Sequence, residues 1–418
     1  MDRRLFLWAM AASALSTLPS TSLPAAPTRS SKARVLIVGG GMAGASAAKY
    51  LRMWGDSIDV TLIERQATYT SNIMSNLVLT GQRTLPGLAY RYDTLQRRYG
   101  VRLIVDDVVD VDPVATSITL ASGKRLAADR IILAPGIDFD PVLGLADSSR
   151  MPHAWQAGPQ TTLLAQQLAA LPAGGVVAIT VPRMPYRCPP GPYERACLVA
   201  DWLKENKPRA KLILIDANPD IAVEKENFQR AFRELYGDIM EYRNGVDIAS
   251  VDAKQMTLTT SSGPVRADVI NLIPRQRAAA LVANTGLATD EQARFAPVDV
   301  LSYVSSAAPN VHVIGDSCGT TQPMAGQMAN QQAKVCADAL TRIFAGQEPD
   351  PAPVTNSACY STITRSEAGW MTAVFQYDPA ARVMKPAAEA SAASNGWTRK
   401  NFKQMNKWFD ALMADTFA

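Results

Sequence analysis

The chain contains little histidine and lacks several common patterns of cysteine, charge and hydrophobicity. Two of its 418 residues are histidines, His153 and His312, so a histidine metal site or a serine–histidine triad is poorly supported. None of the five cysteines lies in a CxxC pair, which excludes a zinc knuckle and a CxxCH haem attachment site. No run of Lys or Arg occurs and the net charge is only +4, which argues against nucleic acid as a partner. Beyond residue 32, no segment approaches the roughly 18 unbroken apolar residues of a membrane span.

The first 32 residues have the layout of an export signal. Arg3 and Arg4 are followed by Phe6 and Leu7, and then by an apolar, alanine-rich stretch that breaks up around Pro19. This layout is typical of a signal peptide with a twin-arginine head. We therefore expect residues 1–32 to form a twin-arginine signal region that is cleaved near Ala25 or Ala26. The mature protein is expected in the periplasm, exported folded with a cofactor already bound.

A glycine-rich turn follows the first predicted strand, residues 35–38, and precedes an alanine-rich helix. Gly39, Gly41 and Gly44 form the pattern G-x-G-x-x-G, which combines a tight turn, close backbone approach to a pyrophosphate and close helix–strand packing. The amino end of the helix then offers free N–H groups to phosphate. Glu64 ends the next strand, about 20 residues further on, where a carboxylate binds ribose hydroxyls. These features together predict an adenine dinucleotide site.

Two later motifs identify the dinucleotide by resemblance. ILAPG, which ends at Gly136, and VIGD, residues 313–316, are placed as in the FAD domain of glutathione-reductase-like flavoproteins. That resemblance implies an α/β protein with two Rossmann-like dinucleotide-binding domains and a C-terminal α+β interface domain. It assigns Asp316 to the flavin ribityl chain and the helix after it to the flavin ring. The residues that we expect to bind FAD are Gly39, Gly41, Gly44, Glu64, Arg65, Ala134, Gly136, Gly315, Asp316 and Met324.

The second nucleotide-binding unit lacks the expected glycines. After the predicted strand at residues 176–180 the chain reads VPRMPYRCPPGPYERA, where Pro189, Pro190 and Pro192 remove N–H donors that a pyrophosphate needs. Predicted helices at 161–171 and 193–205 and strands at 211–215 and 268–274 complete the unit. We expect this unit to keep its fold but not to bind a nicotinamide nucleotide, so that the flavin receives electrons directly from a substrate.

The chain from about residue 33 to its end resembles the flavoprotein subunit of flavocytochrome c sulfide dehydrogenase. The resemblance lies in four segments, residues 151–158, 186–196, 268–277 and 359–361. In that family the cysteines at the positions of Cys188 and Cys359 form a redox-active disulfide beside the flavin. Hydrosulfide would attack one sulfur by thiol–disulfide exchange, leaving a persulfide and a thiolate that reduces the flavin.

Further expectations come from the same resemblance. The protein would be a flavin-dependent oxidoreductase that acts on a small sulfur donor, with a c-type cytochrome subunit on another chain as acceptor. A structural disulfide or two unpaired thiols remain alternatives for Cys188 and Cys359. A sulfide:quinone oxidoreductase-like enzyme, or a largely non-catalytic flavin-bearing subunit of a sulfur-oxidation complex, remain alternatives for the whole chain.

The family usually attaches FAD through a cysteine in the loop after the second strand, and here that loop differs. It reads YTSNIMSN, residues 69–76, so that either Ser71 or Asn72 stands at the cysteine position. Neither side chain can form a thioether. We therefore expect tight but non-covalent FAD.

The predicted domains are residues 33–150 with 295–345 for FAD, 151–294 for the degenerate nicotinamide-like unit and 346–418 for the interface domain. Residues 345–356 read as a proline-rich linker. In the tail, apolar residues at i, i+3 and i+4 from Phe402 to Met413 predict an amphipathic helix that packs on its own chain. Cys197, Cys318 and Cys336 have no predicted partner, and Arg187 and Glu194 are candidates for guiding an anion.

Overall fold

The first third of the chain alternates strands with helices, as the predicted nucleotide-binding unit requires. The computed structural model describes residues 32–55 and 57–418, so residues 1–31 of the signal predicted at 1–32 lie outside the described residues. The first elements are β1 (Ala33–Val38), α1 (Met42–Trp54), β2 (Ile58–Glu64), β3 (Thr68–Thr70), α2 (Asn76–Leu79), β4 (Ala89–Arg91), α3 (Asp93–Arg97), β5 (Arg102–Val105), β6 (Val108–Asp112), β7 (Ser117–Leu120), β8 (Arg125–Ala127), β9 (Arg130–Leu133) and β10 (Ile137–Phe139).

The middle third repeats a strand–helix–strand pattern around the proline-rich loop. Its elements are α4 (Pro159–Ala169), β11 (Val176–Val181), α5 (Gly191–Asn206), β12 (Lys211–Asp216), α6 (Lys225–Glu234), β13 (Met240–Arg243), β14 (Ile248–Asp252), β15 (Thr257–Thr260), β16 (Gly263–Arg266), β17 (Val269–Asn271), β18 (Gln276–Ala278) and α7 (Ala280–Asn284). The strand predicted at 268–274 is shorter than expected, because residues 272–275 leave the sheet before the ribbon strand β18 begins.

The last third returns to the first sheet and then adds a new one. Its elements are β19 (Ala296–Asp299), β20 (Val304–Ser305), β21 (Ala308–Val313), β22 (Cys318–Gly319), α8 (Gly326–Phe344), β23 (Val354–Thr364), β24 (Glu367–Asp378), β25 (Val383–Ala393) and α9 (Arg399–Phe417). The predicted linker is wrong in its last three residues, because β-branched Val354 and Thr355 begin β23 immediately after Pro353.

Three sheets organise the fold. The largest has the order β22-β19-β20-β21-β9-β1-β2-β5, and its strands from β21 to β5 are parallel, the arrangement of a doubly wound dinucleotide-binding sheet. A four-stranded parallel sheet, β13-β12-β11-β17, forms the second unit. The strands β23, β24 and β25 form a long antiparallel sheet. The two parallel sheets fit the predicted two-dinucleotide-domain fold.

The C-terminal helix α9 connects the third sheet to the first core. It packs against β23 and β24 and against α1. Its apolar residues Phe409, Leu412, Met413 and Phe417 belong to the core that contains β1, β2 and β9, whereas Met405 packs with Leu198 and Ala368. The amphipathic face predicted from the sequence is thus buried within the chain.

No helix within residues 32–55 and 57–418 is both long and apolar enough to cross a membrane.

Candidate functional site

A cavity of about 300 Å³ lies where the carboxyl ends of β1 and β9, the amino ends of α1 and α8, and the loop before α5 come together. In doubly wound folds, ligands bind at this edge of the sheet. Of the residues predicted to form the site, those that line the cavity are Gly39, Gly41, Glu64, Ala134, Gly136, Cys188, Gly315, Asp316 and Cys359.

The three glycines of the first turn have different surroundings. A β-carbon at Gly44 would lie 1.8 Å from the carbonyl oxygen of Gly39, so the helix and the turn touch there. At Gly41 the nearest atom to an added β-carbon is 3.7 Å away, on the ring of Tyr69, and the position opens into the cavity. Gly44 therefore maintains packing, whereas Gly41 leaves space for a ligand.

The carboxylate of Glu64 faces this turn. Its Oε2 accepts a hydrogen bond from the backbone N–H of Gly40 at 2.6 Å, and the residue lines the cavity. Arg65, which we predicted to bind the cofactor, instead points outward. Its side chain is 69% exposed and pairs with Asp107 at 3.1 Å, because the side chains of successive residues at a strand end face opposite sides.

Met324 also lies outside the main cavity. It lines a small adjoining hollow, and its carbonyl oxygen accepts a hydrogen bond from the N–H of Cys188 at 2.7 Å. Helix α8 begins only at Gly326, two residues later than Met324, and Gly326 and Gln327 line the main cavity. Met324 thus supports the cysteine loop rather than the cavity wall.

The cavity suits an elongated dinucleotide. The first turn of α1 has no side-chain cap within the described part of the chain, so its N–H groups are available to the pyrophosphate of a bound FAD. Glu64 would hold the adenosine ribose, and Asp316 would hold the ribityl hydroxyls. The open position at Gly41 and the unobstructed Gly136 leave the backbone accessible there.

Cys188 and Cys359 line the same cavity from different elements. Cys188 precedes α5 with a left-handed backbone, φ 57°, and Cys359 lies in β23. Gly191 makes room for the first sulfur, since a β-carbon there would lie 2.9 Å from Cys188 Sγ. All five cysteines, at positions 188, 197, 318, 336 and 359 within the described residues, are free thiols. The structure thus brings the predicted pair to one cavity without the disulfide that the resemblance implies.

Burial disfavours the charged form of both thiols. It raises the pKa of Cys188 well above its usual value, and the nearby charge of Cys359 adds to this effect. Burial and the nearby charge of Glu224 together raise the pKa of Cys359 to about 12. A thiolate formed here would therefore be unstable and prone to transfer its electrons or accept a proton.

Arg187 supplies positive charge at the cavity wall. Its guanidinium lies 3.7 Å from the carboxylate of Asp316, with both side chains 12% exposed, and donates a hydrogen bond to the carbonyl oxygen of Trp155. The pKa of Asp316 is raised by burial, and Arg187 opposes that rise. Arg187 also favours the thiolate form of Cys188 by lowering its pKa. The suggestion that Arg187 guides an anion stays a prediction.

A buried polar network that the sequence did not reveal lies beneath the cysteine loop. Asn76 donates to Glu194 Oε2 at 2.7 Å and accepts from Arg195 Nε at 2.8 Å. Arg195 is 1% exposed and also donates to Asn271 and to the carbonyl oxygens of His153 and Ala154. Glu194 Oε1 accepts from the hydroxyl and the N–H of Thr362. Every charge of this network is therefore hydrogen-bonded.

Replacing Arg195 with methionine should destabilise the fold strongly. The variant keeps much of the side-chain volume but leaves buried acceptors unpaired, which we expect to lower the free energy of unfolding by about 3–5 kcal/mol. Chemical denaturation would measure this loss. Arg233→Met is the matched control, because this arginine is 72% exposed and its replacement should change stability by no more than about 0.5 kcal/mol.

The second nucleotide-binding unit also has an acidic residue at the end of its second strand, but this acid is bonded to other side chains of the protein. Asp216 ends β12 as Glu64 ends β2, but it is completely buried. Its carboxylate accepts hydrogen bonds from the hydroxyls of Tyr193 and Tyr242, at 2.7 and 2.9 Å, and from Asn218. The acid that would bind a nicotinamide nucleotide's ribose is therefore already hydrogen-bonded within the fold.

Neither histidine offers a base at this site. Burial, together with the nearby charges of Arg195 and Arg187, lowers the pKa of His153 to about 4. Burial also lowers the pKa of His312 to about 4, and its Nδ1 lies 2.9 Å from the carbonyl oxygen of Ser302. Both rings are neutral near pH 7. Within residues 32–55 and 57–418, no group of three or more His, Cys, Asp or Glu is placed to hold a metal ion.

Ser71 and Asn72, the two candidates for the position of the family's flavin-linking cysteine, face different surroundings. Ser71 is buried outside the cavity lining, and its hydroxyl donates to the carbonyl oxygen of Ile73 at 3.1 Å. Asn72 lines the cavity, and its Oδ1 accepts from the N–H of Ala157 at 2.7 Å. Of the two alignments left open by the sequence, Asn72 is thus the one that faces the cofactor space.

Comparisons with known proteins agree with this architecture. Residues 33–155 match the family model described as pyridine nucleotide-disulphide oxidoreductase. Residues 161–274 and 351–417 match the central and flavin-binding models of the flavocytochrome c sulfide dehydrogenase flavoprotein. The sulfide dehydrogenase [flavocytochrome c] flavoprotein chain of Chlorobaculum thiosulfatiphilum is 51% identical over 45 residues, which are 11% of this chain and 94% of that one.

Fuller-length relatives are more distant. The sulfide-quinone reductase of Aquifex aeolicus is 25% identical over 227 residues, 53% of this chain and 51% of that protein. The chain thus spans about half the length of the longer curated relatives it matches, or less. The solved structure of the Aquifex aeolicus sulfide:quinone oxidoreductase has a TM-score of 0.76 at 17% identity, covering 92% of this chain and 91% of that one, which shows a shared fold.

The two dinucleotide-binding sheets and the cavity at the carboxyl ends of β1 and β9 define a flavoprotein of the pyridine nucleotide–disulfide oxidoreductase class. Within that class, the matches to the central and flavin-binding regions are specific. The chain belongs to the flavoprotein chains of flavocytochrome c sulfide dehydrogenase.

Proposed function

We propose that this protein is a periplasmic FAD-dependent sulfide dehydrogenase that uses Cys188 and Cys359 as a redox pair and passes electrons to a c-type cytochrome subunit. The observation that carries this proposal is the convergence of the two cysteines, from positions 171 residues apart in the chain, on one cavity with Glu64 and Asp316. The periplasmic location is supported by the twin-arginine pattern at Arg3 and Arg4.

The chemistry begins with the oxidised pair joined as a disulfide. Hydrosulfide attacks one sulfur, a new S–S bond forms, and the Cys188–Cys359 bond breaks. One cysteine then carries a persulfide and the other is a thiolate, so the two electrons of the broken bond remain on the protein. FAD bound in the cavity would supply a two-electron acceptor that also releases electrons one at a time.

Several side chains support this role. Arg187 places a cation beside Cys188 at the cavity wall, which favours entry of an anion and offsets part of the rise that burial causes in the pKa of that thiol. The neutral His153 and His312 provide no base, and none is needed, because hydrogen sulfide is already substantially ionised to hydrosulfide near neutral pH. The hydrogen-bonded Asp216 and the proline-rich loop leave little opportunity for a nicotinamide nucleotide.

Rapid mixing of the FAD-loaded protein with sulfide tests the proposal. We expect the flavin absorbance to bleach without NAD(P)H and to recover when a c-type cytochrome is added. Recovery with a quinone but not with cytochrome c would instead favour a sulfide:quinone oxidoreductase, as the Aquifex similarity suggests. No bleaching at all would favour a non-catalytic subunit.

We also propose that FAD is held without a covalent bond, because Ser71 and Asn72 replace the family cysteine. Flavin should therefore be released completely when the protein is denatured. In Asn72→Cys, whose side chain would face the cavity, we expect part of the flavin to remain attached after denaturation. Flavin fluorescence of the precipitated protein measures this fraction.

Ser71→Cys is the matched control for that variant. Its side chain would lie outside the cavity, so all flavin should still be released. Retention in Ser71→Cys and not in Asn72→Cys would show that the cofactor space has been assigned to the wrong residue.

A further inference from the structure

The carboxyl group of Glu224 is a charged neighbour of Cys359, and the sulfur chemistry proposed above does not use it. Glu224 precedes α6 with φ 52° and ψ 30°, a left-handed conformation that disfavours side chains other than glycine. Its carboxyl reaches across to β23, where Oε2 accepts a hydrogen bond from the hydroxyl of Ser361 at 2.5 Å. Ser361 is two residues from Cys359 in the same strand, so both side chains leave the same face.

The second oxygen of this carboxyl is buried and unpaired. Glu224 Oε1 has no hydrogen-bond partner among residues 32–55 and 57–418. Gly369 pairs with Ser361 across β23 and β24, and a β-carbon there would lie 3.1 Å from Oε1. The missing side chain at Gly369 thus gives the oxygen its space. A carboxyl group with a buried, unpaired oxygen is costly to ionise, so this site favours the protonated acid.

The electrostatics agree with this geometry. Burial and, to a smaller extent, the charge of Glu194 raise the pKa of Glu224 to about 7, while the side chains of Ser361 and Asn227 oppose the rise. The carboxyl therefore changes charge within the neutral range of pH.

The groups that face Cys359 come from three elements. Glu224 lies before α6, Glu194 lies on α5, and the Cys188 thiol lies in the loop before α5. On α5, the buried thiol of Cys197 is also within reach of the charges of Glu194 and Glu224. The buried cation on α5, Arg195, is hydrogen-bonded to Asn76, Asn271 and backbone carbonyls. Cys359 therefore has mainly acidic groups as its charged neighbours.

We propose that Glu224 is a positioning residue of the thiol site whose state of protonation sets how readily Cys359 ionises. The inference rests on the proposed function, since it concerns one of the two redox cysteines, and adds proton-dependent control to it.

The direction of this control follows from like-charge repulsion. When Glu224 holds its proton, Cys359 has a neutral neighbour and loses its own proton more easily. When the pH rises through the pKa of Glu224, the carboxylate opposes a thiolate at Cys359. The ionisation of Cys359 should therefore increase less steeply with pH than that of an isolated thiol.

Thiol alkylation of the FAD-loaded, reduced protein tests this proposal without sulfide or an electron acceptor. The rate of iodoacetamide labelling at Cys359 is followed by peptide mass spectrometry from about pH 6 to pH 9.5. In Glu224→Gln, where the neighbour is always neutral, we expect labelling about three- to tenfold faster than wild type above pH 8, with the difference vanishing below about pH 6. Glu226→Gln, an exposed acid on the same helix, should match wild type.

A second variant guards against a change in fold. Ser361→Ala removes the hydrogen bond that lowers the pKa of Glu224, so the pH at which labelling begins to lag should move upward. A profile of Glu224→Gln that overlays wild type would overturn the proposal. If Glu224→Gln also accelerates labelling of the buried Cys336, the fold has loosened, and the Ser361→Ala shift alone decides. If the wild-type protein does not oxidise sulfide, the proposed function is overturned, but these labelling profiles are unchanged.

Discussion

Replacing either Cys188 or Cys359 with serine should reduce sulfide-dependent flavin reduction by about a thousandfold or more. A hydroxyl cannot form the disulfide that hydrosulfide attacks, so neither variant retains an electrophilic sulfur pair. Both residues line the cavity, and neither is part of a main hydrophobic core, so the variants should fold and bind FAD. Stopped-flow absorbance at the flavin band measures the effect.

Cys336→Ala is the matched control for these two variants. This cysteine is fully buried in the core that contains α1 and α8, and it lies outside the cavity lining. Its replacement should leave the rate of flavin reduction within about twofold of wild type. If Cys188→Ser or Cys359→Ser reduced flavin at the wild-type rate, sulfide would not react through this pair.

Alanine substitutions at two glycines of the first turn should separate cofactor binding from folding. Gly41→Ala places its methyl group in the cavity, with its nearest neighbour 3.7 Å away, so the fold should persist while FAD affinity falls by about tenfold to a hundredfold. Gly44→Ala would place a β-carbon 1.8 Å from a backbone oxygen, so we expect destabilisation above about 4 kcal/mol.

The two glycine variants control for each other. Fluorescence titration of the apoprotein with FAD measures the FAD affinity, and chemical denaturation measures the free energy of unfolding. Unchanged FAD affinity in Gly41→Ala would contradict the placement of the pyrophosphate at α1. Normal stability in Gly44→Ala would contradict the close contact between the helix and the turn.

Much of the first domain could be predicted because its signals are local. The glycine spacing, the apolar strand before it and Glu64 after the next strand lie within about 30 residues, and their arrangement follows from short-range geometry. The pairing of Cys188 with Cys359 could not be obtained in this way. It came from resemblance alone, and the structure then placed both residues at one cavity.

The rest of the site depends on contacts between distant parts of the chain. Asn76 meets Arg195 across 119 positions, and Ser361 meets Glu224 across 137. No periodicity or motif signals such contacts, because they are set by how sheets and helices pack. Arg65 was predicted to bind the cofactor, yet strand alternation directs its side chain to solvent.

The proposed sulfur chemistry would use a loop of the second nucleotide-binding unit. Its parallel sheet, β11 with β12, β13 and β17, is retained, while the turn that would bind phosphate holds Cys188 in a left-handed conformation. Tyr193 and Tyr242 occupy the hydrogen-bonding capacity of Asp216. A thiol thus stands at the start of the helix where a nicotinamide nucleotide's phosphates would otherwise bind.

Peptide mapping under non-reducing conditions tests whether Cys188 and Cys359 form a disulfide that reacts with sulfide. The oxidised, FAD-loaded protein is alkylated and digested before and after one equivalent of sulfide. If the two cysteines are a redox pair, a Cys188–Cys359 cross-linked peptide is expected before sulfide is added. After sulfide it predicts one of these cysteines carrying an extra sulfur atom and the other alkylated. Recovery of both cysteines as alkylated free thiols from the oxidised protein, with no added sulfur after sulfide, would contradict it.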